Sequence, residues 1–386
     1  MSKRPNGDGS IAPYGDGWRG RYTDPISHKQ RAVYGKTQGE CKKKLDAALS
    51  AIRGGVYVQP DKLLTGDWLD YWFENFYCIG TKQSTQATTA QGIRAHLKPA
   101  LGKYPLQKLQ TEHIQAMIRD MQRNGLAPAT IRRHVKTLNQ ALKQAAKMKK
   151  IRFNPTEDVK LPENVKPEIK FLTLEEQAAL LRKLPDSTHG RAIRFLLGTG
   201  MRVSELCGLK WKDVKADGIH VERINMTIKD WREEGYTNVE TLPKTTSGKR
   251  VIPAPPALLA LLEEQRKAQM EECLRLGCPF DRVNGYIFAN ALGHPADRNN
   301  IARTFRAICK QAGIEGRGVH ALRHTFATNW VQHSPDVPSL SRILGHTDPA
   351  FTYKTYCHAD ASSMAQGMTM IEAILQSAAE CEPIAR

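Results

Sequence analysis

Residues 151 to 170, IRFNPTEDVKLPENVKPEIK, hold three prolines, mixed charges and no helical or strand period. Proline fixes φ, lacks an N–H and pushes the residue before it towards extended backbone, so no helix or inner strand runs through such a stretch. It reads as a linker, set at 156–170, and divides the chain into modules that can move apart and close around a ligand. At 386 residues the chain is too long for one ordinary domain.

Upstream of the linker nearly all signals are helical. Helices are predicted at roughly 65–77, 84–98, 111–123 and 128–150, with breaks at Gly80, Gly102 and Asn124-Gly125. In the last, Ile131, Val135, Leu138, Leu142 and Ala145 recur at helical spacing as a core stripe, and Arg132, Lys136, Lys143 and Lys147 fall on another face. Between Asp120 and Glu157 stand nine Lys or Arg and no acid, more than a solvated face needs. Contact with a DNA backbone is the functional reading and a soluble surface the plain one.

The first 60 residues differ. Short segments alternate across turn signals at Gly15-Asp16-Gly17 and Asp24-Pro25, the pattern of a small three-stranded antiparallel sheet. Period two places Arg19 and Arg21 on one face of the second strand, and Lys29 and Arg31 on one face of the third. A helix should follow, capped by Thr37 and Glu40, with Cys41, Leu45, Leu49 and Ile52 as its apolar stripe. A basic sheet backed by one helix can lie in a DNA groove. Gly15, Gly17 and Gly20 satisfy GxGxxG, but a dinucleotide site needs a helix directly after the glycines, and here a strand comes next.

Lys and Arg outnumber Asp and Glu by 57 to 39, which favours a polyanionic partner. No apolar run is long enough to span a membrane, so no membrane partner is expected. The N-terminal residues lack the apolar core of a secretory signal. Eight scattered cysteines form no CxxC pair, as expected of reduced thiols in a cytosol.

From Phe171 a larger α+β domain is predicted. Thr173 and Glu176 form a capping box for a helix with Leu174, Ala178, Leu181 and Leu184 on its buried side. A short helix after Gly198 and Gly200 holds Arg202 and Glu205. Strands are expected at 218–228 and 239–253, the latter folded about a turn at 244–249, with a further short strand at 286–289. The stretch Arg317 to His358 then gathers His320, Arg323, His324, His346 and Tyr356, with Val319, Leu322, Phe326 and Trp330 at helical spacing. A cation so near a possible nucleophile asks for an anionic substrate. His320 and His324 also have the spacing of a helical metal pair, but Ala321 stands where a zincin has glutamate, so no metal is assigned.

This stretch, together with GTGMRVSELCGL and LPKTTSGKRVIP, resembles the catalytic domain of the tyrosine recombinases, the phage-integrase family, over Phe171 to His358. The upstream segments are similar to the larger members: an arm-site-binding domain at 1–58, resting in part on RAVYGKTQGECKKKL, and a helical core-site-binding domain at 62–155. The resemblance implies a multidomain, mainly α protein with small β-sheets and a catalytic domain at 171–386. By it, Arg202 and Arg323 are the catalytic arginines, Lys244 the β-turn lysine, His320 and His346 the histidines, and Tyr356 the nucleophile. Tyr353 lies too early and is read as packing. Glu205 is read as support for the fold.

The chemistry agrees with those roles. Forked guanidiniums suit the non-bridging oxygens of a phosphodiester under attack. A phenol needs help to lose its proton, and a leaving 5′-hydroxyl needs one delivered. No cofactor is implied, neither ATP nor metal. The expected function is a site-specific DNA recombinase, the integrase of a prophage or other mobile element, working as a homotetramer on double-stranded core and arm sites in the nucleoid, with an excision factor or host DNA-bending protein as further partners. An amphipathic helix at 362–379 is expected to pack on a neighbouring protomer. The alternatives are a type IB topoisomerase and a non-catalytic DNA-binding regulator.

Overall fold

The computed structural model describes residues 9–55, 57–164, 170–232, 235–242, 248–334 and 336–356. Lys244, His358 and the 362–379 segment lie outside them. The chain divides into two compact units, Met1–Lys166 with Lys229–Gly235, and Pro167–Ile228 with Tyr236–Arg386.

The first unit opens with three antiparallel strands in the order β1 (Ser10–Tyr14), β2 (Gly17–Thr23) and β3 (Gln30–Gly35), backed by helix α1 (Gln38–Arg53). The helix starts where expected: Thr37 Oγ1 accepts from the Glu40 amide at 3.2 Å, and the Glu40 carboxylate accepts from the Lys36 amide at 2.9 Å. Cys41, Leu45 and Leu49 are buried against the sheet. Gly20 is what lets them approach. A Cβ there would sit 3.1 Å from Val33 and 3.3 Å from Leu45.

Register corrects one expectation. Arg19 pairs with Ala12 and Tyr34, and Arg21 with Ser10 and Ala32, on the face turned from α1. Arg31 pairs with Tyr22, which is buried, so it is turned to the opposite face from Arg19 and Arg21. There its Nε donates to the buried Asp24 at 2.7 Å. Burial works to raise the Asp24 pKa, but hydrogen bonds from Ile26, Ser27, Arg31 and Tyr57 hold it down to about 2. Lys29 is exposed just before β3.

The rest of this unit is helical: α2 (Thr65–Trp72), α3 (Gln83–Gly92), α4 (Lys98–Leu101), α5 (Thr111–Arg123) and α6 (Pro128–Lys147). Helix α2 continues into a π turn at Phe73–Tyr77, and α3 reaches α4 through a second at Ile93–Leu97. The core contains Trp68, Leu97, Leu101, Ile114, Ile118, Ile131 and Leu138, all nearly inaccessible. Trp68 meets its polar requirement by donating to the Ala141 carbonyl at 3.0 Å. On α6 the predicted apolar stripe is buried, and Lys136, Lys143 and Lys147 are exposed. Arg132 is half-buried, its Nε on the Pro162 carbonyl.

The second unit runs α7 (Leu174–Lys183), α8 (Thr188–Thr199), α9 (Val203–Leu206), strands β4 (Val214–Lys215), β5 (Gly218–Val221), β6 (Ile224–Lys229), β7 (Tyr236–Thr241) and β8 (Arg250–Ile252), then α10 (Pro256–Leu276), α11 (Arg298–Gln311), α12 (Ala321–His333), α13 (Val337–Leu344) and α14 (Pro349–Tyr356). One antiparallel sheet has the order β4-β5-β8, and β6 pairs with β7. Helix α8 is central, with α10, α11 and α12 packed on it and Ile193, Phe195 and Leu196 buried. Burial of each such side chain contributes roughly 1.5–3 kcal/mol.

Four expectations change here. The two halves of 239–253 do not pair with each other, since β7 joins β6 and β8 joins β5. The 218–228 stretch is two strands, broken at Glu222-Arg223, and 286–289 makes only isolated bridges, at Tyr286 and Ala289. On α7, Thr173 and Glu176 form the capping box, but Leu174 and Leu181 are exposed, and Gln177 and Leu180 face the core. Gln177 can do so because its amide bonds the Leu172 carbonyl and Asn329.

Candidate active site

Helix α8 ends at Gly200, whose φ of +63° closes the helix in the left-handed region. A Cβ there would meet the Phe326 ring at 2.5 Å, so both conformation and space require glycine. The turn delivers Arg202 to the N-cap of α9. Its backbone N–H and its guanidinium both donate to Glu205, each at 2.9 Å, and its side chain keeps 39 % exposure.

Glu205 is buried and takes a second guanidinium, Arg250 of β8, through contacts of 2.8 and 3.2 Å. Burial pushes the carboxyl pKa up, but the Arg250 hydrogen bonds and the charges of Arg250 and Arg202 outweigh it and leave the pKa lowered. Arg250 also donates to the Ile343 carbonyl, tying β8 to α13. Sequence reading did not single out Arg250.

On α12, Arg323 is buried. It donates to the Gly200 carbonyl at 3.0 Å and the Leu344 carbonyl at 2.7 Å, and its Nη2 lies 2.8 Å from His346 Nε2. Burial, then the charge of Arg202, lowers its pKa to about 9, so it is cationic at neutral pH. His346 follows Gly345, the left-handed cap of α13, and its Nδ1 is 2.8 Å from Thr352 Oγ1. Burial and the nearby arginines bring its pKa down to about 4.

His320 caps α12 at the solvent-exposed rim, its ring edge-on to His324 at 4.7 Å. Desolvation of the ring, then the charges of His324, Arg323 and Arg202, lower its pKa. Tyr356 ends α14 with 9 % exposure, and its Oη lies 2.9 Å from His324 Nδ1. Burial raises the phenol pKa, and Arg323 and Arg202 partly offset this. Tyr353 is half exposed and not packed as expected.

The structure thus brings Arg202, His320, Arg323, His346 and Tyr356 together from four separate elements, with two guanidiniums, Arg202 and Arg250, on the buried Glu205 carboxylate. The excess positive charge suits an anion. Lys244 lies outside the described residues. Among those described, no three His, Cys, Asp or Glu side chains are grouped to hold a metal, and no helix is long and apolar enough to cross a membrane.

A phenol enclosed among guanidiniums at the end of such a helical fold suits a protein that handles an anionic phosphate ester. Residues 170–363 match the model of the phage integrase family, and residues 66–122 that of the phage integrase N-terminal SAM-like domain. The chain belongs to the phage integrase family, the tyrosine recombinases. It is a DNA strand-breaking and rejoining enzyme, a site-specific recombinase. It is 29 % identical over 351 residues to the XerC-like tyrosine recombinase of Caldanaerobacter subterraneus subsp. tengcongensis, covering 85 % of this chain and 88 % of the relative. The Tn1549 transposon integrase in complex with circular intermediate DNA superposes with a TM-score of 0.64 at 23 % identity, over 79 % of this chain and 99 % of that one. The lambda integrase tetramer bound to a Holliday junction gives 0.58 at 18 %, over 92 % and 96 %.

Proposed function

We propose that this chain integrates and excises a mobile element by cutting each strand with Tyr356. The phenol oxygen bonds the scissile phosphorus, the bond to the 5′-oxygen breaks, and a 3′-phosphotyrosyl link keeps the energy of the lost bond for rejoining. Arg202 and Arg323 stabilise the charge that builds on the non-bridging oxygens, Arg202 by direct contact from its exposed position. His320 assists at the phosphate, His346 assists by holding Arg323 in place, and Lys244 donates the proton that the 5′-oxygen needs. The observation that carries this reading is the burial of Tyr356 at the end of α14, which packs against α12, the helix that holds Arg323.

The remaining parts of the reading concern DNA delivery. The outward sheet face with Arg19 and Arg21, with Lys29 beside it, contacts arm sites, and Lys136, Lys143 and Lys147 of α6 track the core-site backbone. Arg31 is turned from that face onto Asp24 and Arg132 is held by the Pro162 carbonyl, so neither is assigned to DNA. Four protomers assemble on DNA in the bacterial nucleoid, with an excision factor or DNA-bending protein setting direction. A duplex nicked beside the cleavage point should trap wild type covalently and leave Tyr356→Phe free. Loss of the trap in wild type overturns the reading, and relaxation of plasmid lacking attachment sites would replace it with topoisomerase activity.

A further inference from the structure

The hydrogen bond between Tyr356 and His324 joins the nucleophile to a side chain that the roles above leave unused. The two residues are 32 apart in sequence, and the contact forms because α14 ends against α12. Phenol and ring are both withdrawn from bulk water, Tyr356 buried and His324 half-buried.

The other two histidines are placed differently. His346 Nε2 faces an Arg323 nitrogen, and guanidinium only donates, so that imidazole nitrogen must be bare and its proton sits on Nδ1, towards Thr352. A second proton on Nε2 would meet Arg323 head-on, so His346 is poorly placed to accept one. His320 stands at the rim, edge-on to His324. Burial and the adjacent Arg323 lower the His324 pKa, which keeps the ring neutral at pH 7 and able to accept.

We infer that His324 is the general base of strand cleavage, a catalytic residue in direct contact with the nucleophile. As Tyr356 Oη bonds phosphorus and the 5′-oxygen departs, the phenolic proton passes to His324 Nδ1. The 5′-oxygen takes its own proton from a separate donor, the role given to Lys244. In rejoining, the 5′-hydroxyl attacks, the tyrosyl oxygen leaves, and the His324 imidazolium returns its proton to that oxygen. The inference rests on Tyr356 being the nucleophile.

The test is the single-turnover rate of adduct formation on the nicked duplex, with gel-shift affinity measured alongside. His324→Asn sets an amide near the Nδ1 position, which keeps a hydrogen bond but takes no proton. It should slow adduct formation by about 10²–10⁴-fold, the usual contribution of a general base, with affinity unchanged. Replacing Tyr356 by a ring-fluorinated tyrosine, whose acidified phenol ionises without a base, should then restore far more rate to His324→Asn than it gives wild type. A His324→Asn enzyme that forms adduct at the wild-type rate overturns the inference. So does a slow variant that fluorination fails to rescue, because the hydrogen bond then only positions the ring. Absence of adduct in wild type would fault the nucleophile itself and is told apart by that control.

Discussion

Arg323 Nη2 and His346 Nε2 lie 2.8 Å apart, and because the guanidinium can only donate, this contact fixes both the tautomer and the charge of the histidine. The single ring proton, on Nδ1, is donated in a hydrogen bond to Thr352 Oγ1. His346 therefore acts as a neutral brace between α12 and α14. We predict that His346→Ala slows adduct formation by roughly 10–10³-fold, of the order seen when a positioned donor at a reacting oxygen is disturbed, with DNA affinity retained. Equal rates for the variant and wild type would show that Arg323 holds its place through the carbonyls alone.

Glu205 makes a second prediction. Removing its carboxylate leaves Arg250 buried beside Arg202 with no counter-charge, and breaking a buried pair in this way costs about 3–5 kcal/mol. Glu205→Ala should lower the urea midpoint of the catalytic unit accordingly. The pH dependence has a definite sign. The folded pKa is lowered, so the stabilisation is complete above the unfolded value of about 4.3 and is lost as pH falls through the folded one. The deficit of Glu205→Ala should thus be full at neutral pH and shrink in acid.

A third prediction concerns His134, buried on α6 against His96 at 4.6 Å with its Nε2 unpartnered among the described residues. Burial, then the charges of His96 and Arg133, lower its pKa to about 4. Below the unfolded value of about 6.5 the unfolded chain binds a proton that the folded one refuses, so stability falls between there and about 4, by about 3 kcal/mol in all. His134→Leu should flatten this part of the pH–stability curve, read by chemical denaturation across that range. A curve unchanged by the substitution would show that the folded state admits the proton.

The basic face of α6 is tested by salt. Each of Lys136, Lys143 and Lys147 that meets a phosphate should, on replacement by alanine, lower the slope of log affinity against log salt by about 0.9, without altering preference between sites. A changed site preference would mean base contact. An unchanged slope would mark a merely solvated face.

Much of this was legible in the chain because the signals are local. The α6 stripe and the capping boxes at Thr37 and Thr173 depend on spacings of a few residues. What failed depends on register or on distant partners. Arg31 turns inward because β3 pairs with β2 in a register that sequence alone does not set, and Asp24 rewards that choice. The α7 face rotates because Gln177 finds a carbonyl and an asparagine to satisfy it. Arg250 and Glu205 are 45 residues apart, and no period links them. The bond from Tyr356 to His324 is hidden for the same reason.

In the proposed reaction a single phenol, Tyr356, attacks DNA. Its exposed neighbour Tyr353 is the natural competitor, three residues earlier on the same helix. The direct measurement is to trap the adduct on a nicked duplex, digest protein and DNA, and locate the nucleotide by tandem mass spectrometry. A 3′-phosphonucleotide is expected on Tyr356 and none on Tyr353, with Tyr353→Phe still forming adduct. A nucleotide found on Tyr353, or adduct persisting in Tyr356→Phe, would contradict it.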